Sequence, residues 1–433
     1  MKLLFLTPGT GSYYCGVCMR DNALAKQLCQ KGHDAVLLPL YLPLTLEESA
    51  ASPQAPVLFG GLNVYLQQRF AWFRKAPLWL DRWLDHPALL KWLGRFSGMT
   101  QGADTAAITL SMLQGEEGAQ NREIDKLVHW ILQHERPDVI WLSTGLLAGV
   151  ARRLRRETGV PVLCSLQGED SFLDGLPEPW RSQAWREMGV RIGELDGVVA
   201  PSRFFGEVME RRLGLGAGKI EVIPNGMALE GYEPAPEPPG EPVVGYLARF
   251  IRGKGLGTLV DAFIEIHRRG RVPGVRLRCA GTMIPEDAPY LEEQKARLRQ
   301  AGLLEFAEFL PNISREEKIG FLKSLSVLSV PASYGEAFGL YLLEAMACGV
   351  PVVQPRVAAF PEILEATGGG VLVDDNSVAA LANGLEELLL DVPKRLSLGA
   401  AAHRAVHGDY SMERMAARFL RSSARAQAGE KQS

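Results

Sequence analysis

The sequence predicts an α/β protein made of two tandem, doubly wound, Rossmann-like domains. Three observations carry this prediction. The chain opens with a strand, a glycine-rich loop, a helix and a second strand, the βαβ unit of a parallel sheet covered on both faces. Short apolar runs then alternate with helical patterns. The alternation stops at a proline-dense stretch, "EPAPEPPGEP", and restarts beyond it. A length of 433 residues suits domains of ordinary size, and 47% hydrophobic residues suffice for two large cores.

The elements follow in order. "KLLFLTP" is the first strand, a helix is expected over Asp21 to Lys31 with Gly32 as its stop, and "HDAVLLPLY" is the second strand. "PDVIWLST" precedes a helix at Leu146 to Thr158, and "VPVLCSLQ", "GVVAPS" and "KIEVIPNG" complete a first domain at 1–228. Residues 229–242 read as a linker, because so many prolines cannot hold regular structure. The second domain, 243–409, runs through "PVVGYLAR", a helix at Leu256 to Arg269, "VRLRCAG", a helix at Pro289 to Ala301 and "EFAEFLP". A helix at Arg315 to Ser324, "VLSVPAS", a helix at Leu340 to Cys348, "PVVQP" and "GGVLVD" complete it. An Arg-rich helical tail, 410–433, is expected to cross back and complete the first domain. Sheets of this kind bind ligands outside the carboxyl ends of their strands, so the expected site is a cleft that the two domains face.

Composition removes several function classes. A net charge of −3 supplies no global field for nucleic acid. Six cysteines in 433 residues make no disulfide framework and fit a reducing cytoplasm. The apolar start is too short for a signal-peptide core, and no run reaches the length of a membrane span. His129 and His134 are five apart, off one helix face, so no zinc site is read there.

The most informative stretch is "PASYGEAFGLYLLEAMACGVP", Pro331 to Pro351. A strand end leads through a loop carrying Glu336 into a helix that starts near Gly339 and Leu340 and is stopped by Gly349 and Pro351. Free N–H groups at such a helix start favour an anion. Glu344 lies eight residues past Glu336, about 12 Å along a helix, a span suited to gripping two ends of a hydroxyl-rich ligand. In "GYLARFIRGKG", Arg249 and Lys254 follow a strand end, where cations can neutralise a diphosphate.

These residues resemble the family 4 retaining glycosyltransferases of GT-B architecture. The resemblance rests on Glu336 and Glu344 as an E-x7-E motif, Arg249 and Lys254 as R-x4-K-G, "GVVAPSRFF", "EVIPNG" and "FPEILEATGGGVLVDD". It implies a nucleotide-sugar donor held by the second domain. Glu336 would meet the donor sugar and Glu344 the ribose. Arg249 and Lys254 would hold the diphosphate with backbone N–H groups near Phe338, Gly339 and Leu340, and Asn312 would line the pocket for base or sugar. No metal or other cofactor is implied, because cations and a helix dipole serve the leaving group. The acceptor, a lipid, a lipid-linked sugar or another glycan, would meet the first domain at Gly11, Ser12, Tyr13, Gly16, Glu169 and Asp170.

The sequence departs from the family pattern in "CSLQGEDSF", where Gln167 takes the place of the usual histidine and cannot serve as a base. The family aspartate after Asn-Gly is replaced here by alanine, Ala228. Two further readings of the same architecture therefore stand: a sugar-nucleotide epimerase, and a sugar-nucleotide-binding protein without catalysis.

Two stretches carry open alternatives. Residues 69–96 hold four of the eight tryptophans, with six Arg or Lys against two Asp. They read either as a helical hairpin packed on the sheet or as a peripheral contact with the inner face of a membrane. In "GTGSYYCGVCMRDN", Cys15 and Cys18 read as small packing residues, as acceptor contacts, or as a redox or metal pair. The polar Ser12, Tyr13, Arg20 and Asp21 are the stronger candidates for chemistry there.

Overall fold

The computed structural model describes residues 1–9, 16–46, 49–53, 55–58, 103–237 and 239–429. The expected positions Gly11, Ser12, Tyr13 and Cys15 and the segment 69–96 lie outside the described residues. The chain forms two compact units, Met1–Pro224 joined by the chain from Met415 onward, and Asn225–Arg414.

The first unit carries β1 (Lys2–Thr7), α1 (Gly16–Gln30), β2 (Asp34–Pro39), α2 (Ala103–Gln114) and α3 (Asn121–Trp130). It continues with β3 (Val139–Leu142), α4 (Ala151–Thr158), β4 (Val162–Ser165), α5 (Glu169–Asp174), α6 (Trp180–Gly193), β5 (Gly197–Ala200), α7 (Arg203–Leu213) and β6 (Glu221–Val222). The strands form one parallel sheet in the order β2-β1-β3-β4-β5-β6. Strands β3, β4 and β5 are buried at every position, which is why they read as unbroken apolar runs rather than alternating ones.

The second unit carries β7 (Val243–Leu247), α8 (Leu256–Arg269), β8 (Arg276–Gly281), α9 (Ala288–Gln300), β9 (Ala307–Pro311), α10 (Arg315–Lys323) and β10 (Val327–Leu328). After these come α11 (Leu340–Ala347), β11 (Val352–Pro355), α12 (Phe360–Thr367), β12 (Gly370–Val373), α13 (Val378–Leu390) and α14 (Val392–Asp409). Its parallel sheet has the order β12-β11-β10-β7-β8-β9. The stretch 229–242 contains no helix or strand among its described residues, yet Tyr232 within it is 3% exposed and packs in the second unit.

The last helix, α15 (Met412–Gln427), returns to the first unit. Phe419 is buried with its ring 4.5 Å from Trp141 and 6.4 Å from Phe5, and the Trp141 indole N–H donates to Ser423 Oγ at 3.0 Å. The chain end thus seals one face of β1 and β3.

Two expected boundaries are corrected. Helix α1 begins at Gly16, five residues ahead of Asp21, because Cys18, Arg20, Asp21 and Asn22 all bury on it. The helix expected from Leu146 opens as a 3-10 turn over Gly145–Val150 before α4, and Thr144 caps that turn.

Replacing Phe419 with Ala removes the ring that joins β1 and β3 to α15. The expected cost is about 3–5 kcal/mol, read as a lower denaturant midpoint. An unchanged midpoint would mean that α15 does not hold this sheet.

Candidate active site

In the second unit the strand order reverses between β7 and β10. Helices leaving adjacent strands on opposite sides open a crevice at the strand ends there. The chain after β7 carries Arg249 and Lys254, and the chain after β10 carries Tyr334 and Glu336. The reversal therefore brings together residues 82 positions apart: Lys254 Nζ lies 2.5 Å from Glu336 Oε2. Gly255, which starts α8, permits the approach. Its φ is +77°, and a Cβ there would sit 1.9 Å from the Pro331 carbonyl oxygen.

Two rings flank this pair. Lys254 Nζ stands 5.0 Å from the Tyr334 ring centre and 5.4 Å from that of Tyr341, and the Tyr341 hydroxyl donates to Glu336 Oε2 at 3.1 Å. Burial works to lower the Lys254 pKa, but the Glu336 carboxylate overrides it and holds the ammonium above the ordinary lysine value. Burial first, and Glu336 second, push the Tyr341 hydroxyl well above its usual range, so it stays a donor.

Arg249, on the same loop after β7 as Lys254, is held in a fixed pose. Its Nε and Nη2 donate to the two carboxylate oxygens of Asp287 at 2.8 and 3.0 Å, and Asp287 is 6% exposed. Asp287 also accepts from the Ile284 backbone N–H at 3.1 Å, so the loop after β8 sets the guanidinium plane. Helix α11 starts at Gly339, whose φ of +93° would strain any side chain. Phe338 is buried against Tyr410, at 6.2 Å between ring centres, so only its backbone is available to a ligand. Glu344, one turn into α11, accepts from the Tyr232 hydroxyl at 3.1 Å and pairs with Lys318 at 2.9 Å.

Asn312 has a structural task. Its side chain donates to the Met283 carbonyl and accepts from the Met283 N–H, both at 2.9 Å, and its φ is +57°. Both ends of the amide are committed to joining the loops after β8 and β9.

In the first unit the order reverses between β1 and β3. Beside that point a buried polar network ties α1 to the loops after β3 and β4. Arg20 Nε donates to Asp21 at 2.8 Å and Arg20 Nη1 to Ser165 Oγ at 3.2 Å. Ser165 Oγ also accepts from Gln167 Nε2 at 2.9 Å. Arg20 and Asp21, expected as chemistry-bearing groups, are instead buried on α1. Cys18 is buried with its sulfur 3.6 Å from Thr7 Oγ1, a packing position that excludes an exposed redox role. Gly16 is the exposed first residue of α1.

The expectation for Glu169 is corrected. It is 4% exposed and accepts four hydrogen bonds: from Thr144 Oγ1 at 2.7 Å, Gly145 N at 2.8 Å, Gln167 N at 2.8 Å and Gly168 N at 3.0 Å. A carboxylate so fully engaged holds the Gln167 loop and has no oxygen left for an acceptor. Its neighbour Asp170 is half-buried, and burial raises its pKa, with Glu169 adding to the rise.

The comparisons agree with this fold. Residues 17–226 match the family model described as "Glycosyl transferase 4-like domain". Residues 232–405 match "Glycosyl transferases group 1". The chain belongs to the family 4 glycosyltransferases. A GDP-mannose-dependent alpha-(1-6)-phosphatidylinositol monomannoside mannosyltransferase of Mycobacterium tuberculosis is 28% identical over 313 residues, 67% of this chain and 77% of that protein. A phosphatidyl-myo-inositol mannosyltransferase of Mycobacterium leprae is 32% identical over 204 residues, 46% of this chain and 52% of its own length. Among solved structures, sucrose-phosphate synthase from Thermosynechococcus elongatus has a TM-score of 0.73 at 19% identity, covering 99% of this chain and all of the other. The HepE protein of Anabaena in complex with UDP has a TM-score of 0.67 at 18% identity, covering 98% of this chain and all of the other. These structures share the GT-B fold, and with relatives named as mannosyl- and glycosyltransferases the chain is an enzyme of the hexosyltransferase type.

Several participants had no local signal in this glycosyltransferase's sequence. Asp287 is 38 residues from Arg249 and Tyr232 is 112 from Glu344, so only the folded sheet reveals them.

Two outcomes test the first-unit loop. Glu169→Ala leaves buried donors unpaired and should cost roughly 3 kcal/mol in denaturant unfolding. A cost near zero would show that the four bonds do not hold the loop. Asp170 binds its proton more tightly folded than unfolded, so its charged form weakens the fold above the ordinary value of 3.8. Asp170→Asn should therefore melt higher than the parent at pH 7, with the gain fading as pH falls through the raised value to 3.8. A gain that persists below that range contradicts the assignment.

Proposed function

We propose that this enzyme transfers a hexose with retention from a nucleotide sugar to a lipid-type acceptor, without a metal. The observation that carries the reading is the Lys254–Glu336 pair at the β7/β10 reversal, flanked by Arg249 and the start of α11. Lys254 and Glu336 neutralise each other. An entering diphosphate competes for Lys254 and releases Glu336 to accept from sugar hydroxyls. Arg249, already oriented by Asp287, meets the same diphosphate, and Glu344 accepts from the ribose. As the bond from the anomeric carbon to the phosphate oxygen breaks, charge grows on that oxygen. Lys254, Arg249 and the N–H groups around Phe338, Gly339 and Leu340 face it. The acceptor oxygen joins the anomeric carbon on the face the phosphate leaves, and its proton passes to the departing phosphate.

In this reading the first unit serves the acceptor through the Gln167 loop and the segment before Gly16. Gln167 contributes hydrogen bonds rather than a base. Relatives named for phosphatidylinositol substrates support an inositol-lipid acceptor and a mannosyl donor, and segment 69–96 is the proposed contact with the membrane surface. No described helix is long and apolar enough to cross a membrane. The proposed setting is the cytoplasmic face. Gln167 in place of the family histidine favours one second reading, a sugar-nucleotide-binding protein without turnover.

GDP-mannose, UDP-glucose and other nucleotide sugars at about 100 times their Kd should stabilise the chain by about 2.7 kcal/mol, seen as a raised melting temperature. Glu344→Ala should weaken donor binding about tenfold or more, matching a lost charge-assisted hydrogen bond of about 1.5–3 kcal/mol. Glu336→Ala should stop transfer in a folded protein. Donor binding with no nucleotide release on adding acceptor would establish the second reading, and no shift with any donor would remove both.

A further inference from the structure

Outside the crevice, the second unit holds a cluster that the residue pattern near His129 and His134 did not suggest. Its sequence signal is "HRAVH": His403 and His407 are four apart on α14, on one helix face. Their rings lie 4.0 Å apart between centres. Glu233, from the segment before β7, reaches the same place, with its Oε2 3.9 Å from His403 Nε2. One ligand atom from each of the three residues lies within 4.8 Å of the others.

The outer contacts decide which ring nitrogens carry lone pairs. His403 Nδ1 is 2.8 Å from the carbonyl of Ala347, the last residue of α11. His407 Nε2 is 3.2 Å from the carbonyl of Tyr232. A carbonyl can only accept, so both of these nitrogens bear the hydrogen. The neutral rings keep their lone pairs on His403 Nε2 and His407 Nδ1. Imidazoles that ligate metals are held in the same way, by a backbone carbonyl on the far nitrogen.

We propose that Glu233, His403 and His407 form a binding site for one divalent transition-metal ion, separate from the donor site. Two imidazoles and one carboxylate suit Zn²⁺, Co²⁺ or Ni²⁺ rather than Mg²⁺ or Ca²⁺. Three protein ligands leave the remaining position to water. Ligand atoms about 2.0–2.1 Å from a tetrahedral ion stand about 3.4 Å apart, so the set must draw in slightly on binding. The exposed Glu233 side chain supplies that movement by a rotamer change. The bound ion joins α14 to the segment before β7 and, through His403, to the end of α11. The inference rests on this ligand geometry and not on the donor assignments.

The test uses the full chain freed of metal by chelation. Equilibrium dialysis against Zn²⁺ should give one bound ion per chain, and Co²⁺ should give the intense visible bands of a tetrahedral site. Zn²⁺ should also raise the melting temperature by mass action. His403→Ala and His407→Ala, checked for native circular dichroism, should each lose the bound ion, and exposed His134→Ala should keep it. Glu233→Gln changes only an exposed side chain, so folding does not confuse its result, and it should weaken Zn²⁺ binding. The proposal is overturned by less than one ion at saturation, by an ion that survives both histidine substitutions, or by unchanged affinity in Glu233→Gln.

Discussion

A parallel strand buried on both faces can meet polar chemistry only at its ends. In the second unit the apolar strands β7 and β10 lie side by side where the strand order reverses, and their following loops must part. That geometry places a lysine and a glutamate together although 82 residues separate them in the chain. The arrangement tolerates little change, because the chain at Gly255 passes so close to Pro331 that no Cβ fits. The same reversal in the first unit lies beside the network of Arg20, Asp21, Ser165 and Gln167. One constraint on sheet topology thus selects both of these places.

Burial and partnership separate carboxylates that look alike in sequence. Glu336 is paired with one cation and one phenol. Glu169 is satisfied by four donors from its own fold, so it shapes a loop instead of contacting a ligand. Asp170, one residue on, pays for its half-burial with a raised pKa and has no comparable set of donors. Such a locally unfavourable charge beside the Gln167 loop is the kind of cost that functional sites carry.

Much of the family 4 glycosyltransferase fold was legible. Strands β3, β4, β5 and β7 lie in runs whose apolar character follows from burial on both faces, and the helices at Leu256, Arg315 and Leu340 start where glycine and serine signals put them. Legibility failed where polar residues go inside. Helix α1 starts ahead of the expected Asp21 because the stretch before it reads as a glycine- and cysteine-bearing loop, whereas Cys18 and the Arg20–Asp21 ion pair bury on the helix. Helices at Ala103, Trp180 and Val392 left no clear stripe, since their burial depends on neighbours far along the chain. His403 and His407 went unread because a spacing of four means nothing until Glu233 and two carbonyls are brought to it.

The sequence by itself determined the α/β class and the two sheets and marked Arg249, Lys254, Glu336 and Glu344 as candidates, because strand and helix periods and proline breaks act over short stretches and the motif is local. Tertiary structure alone decided that Asp287 aims Arg249, that Tyr232 and Lys318 hold Glu344, and that Glu169 is a brace. The physical reason is range. Propensity is set by neighbours a few residues away, whereas hydrogen-bond satisfaction and the burial of charge are settled only when strands distant in the chain lie side by side.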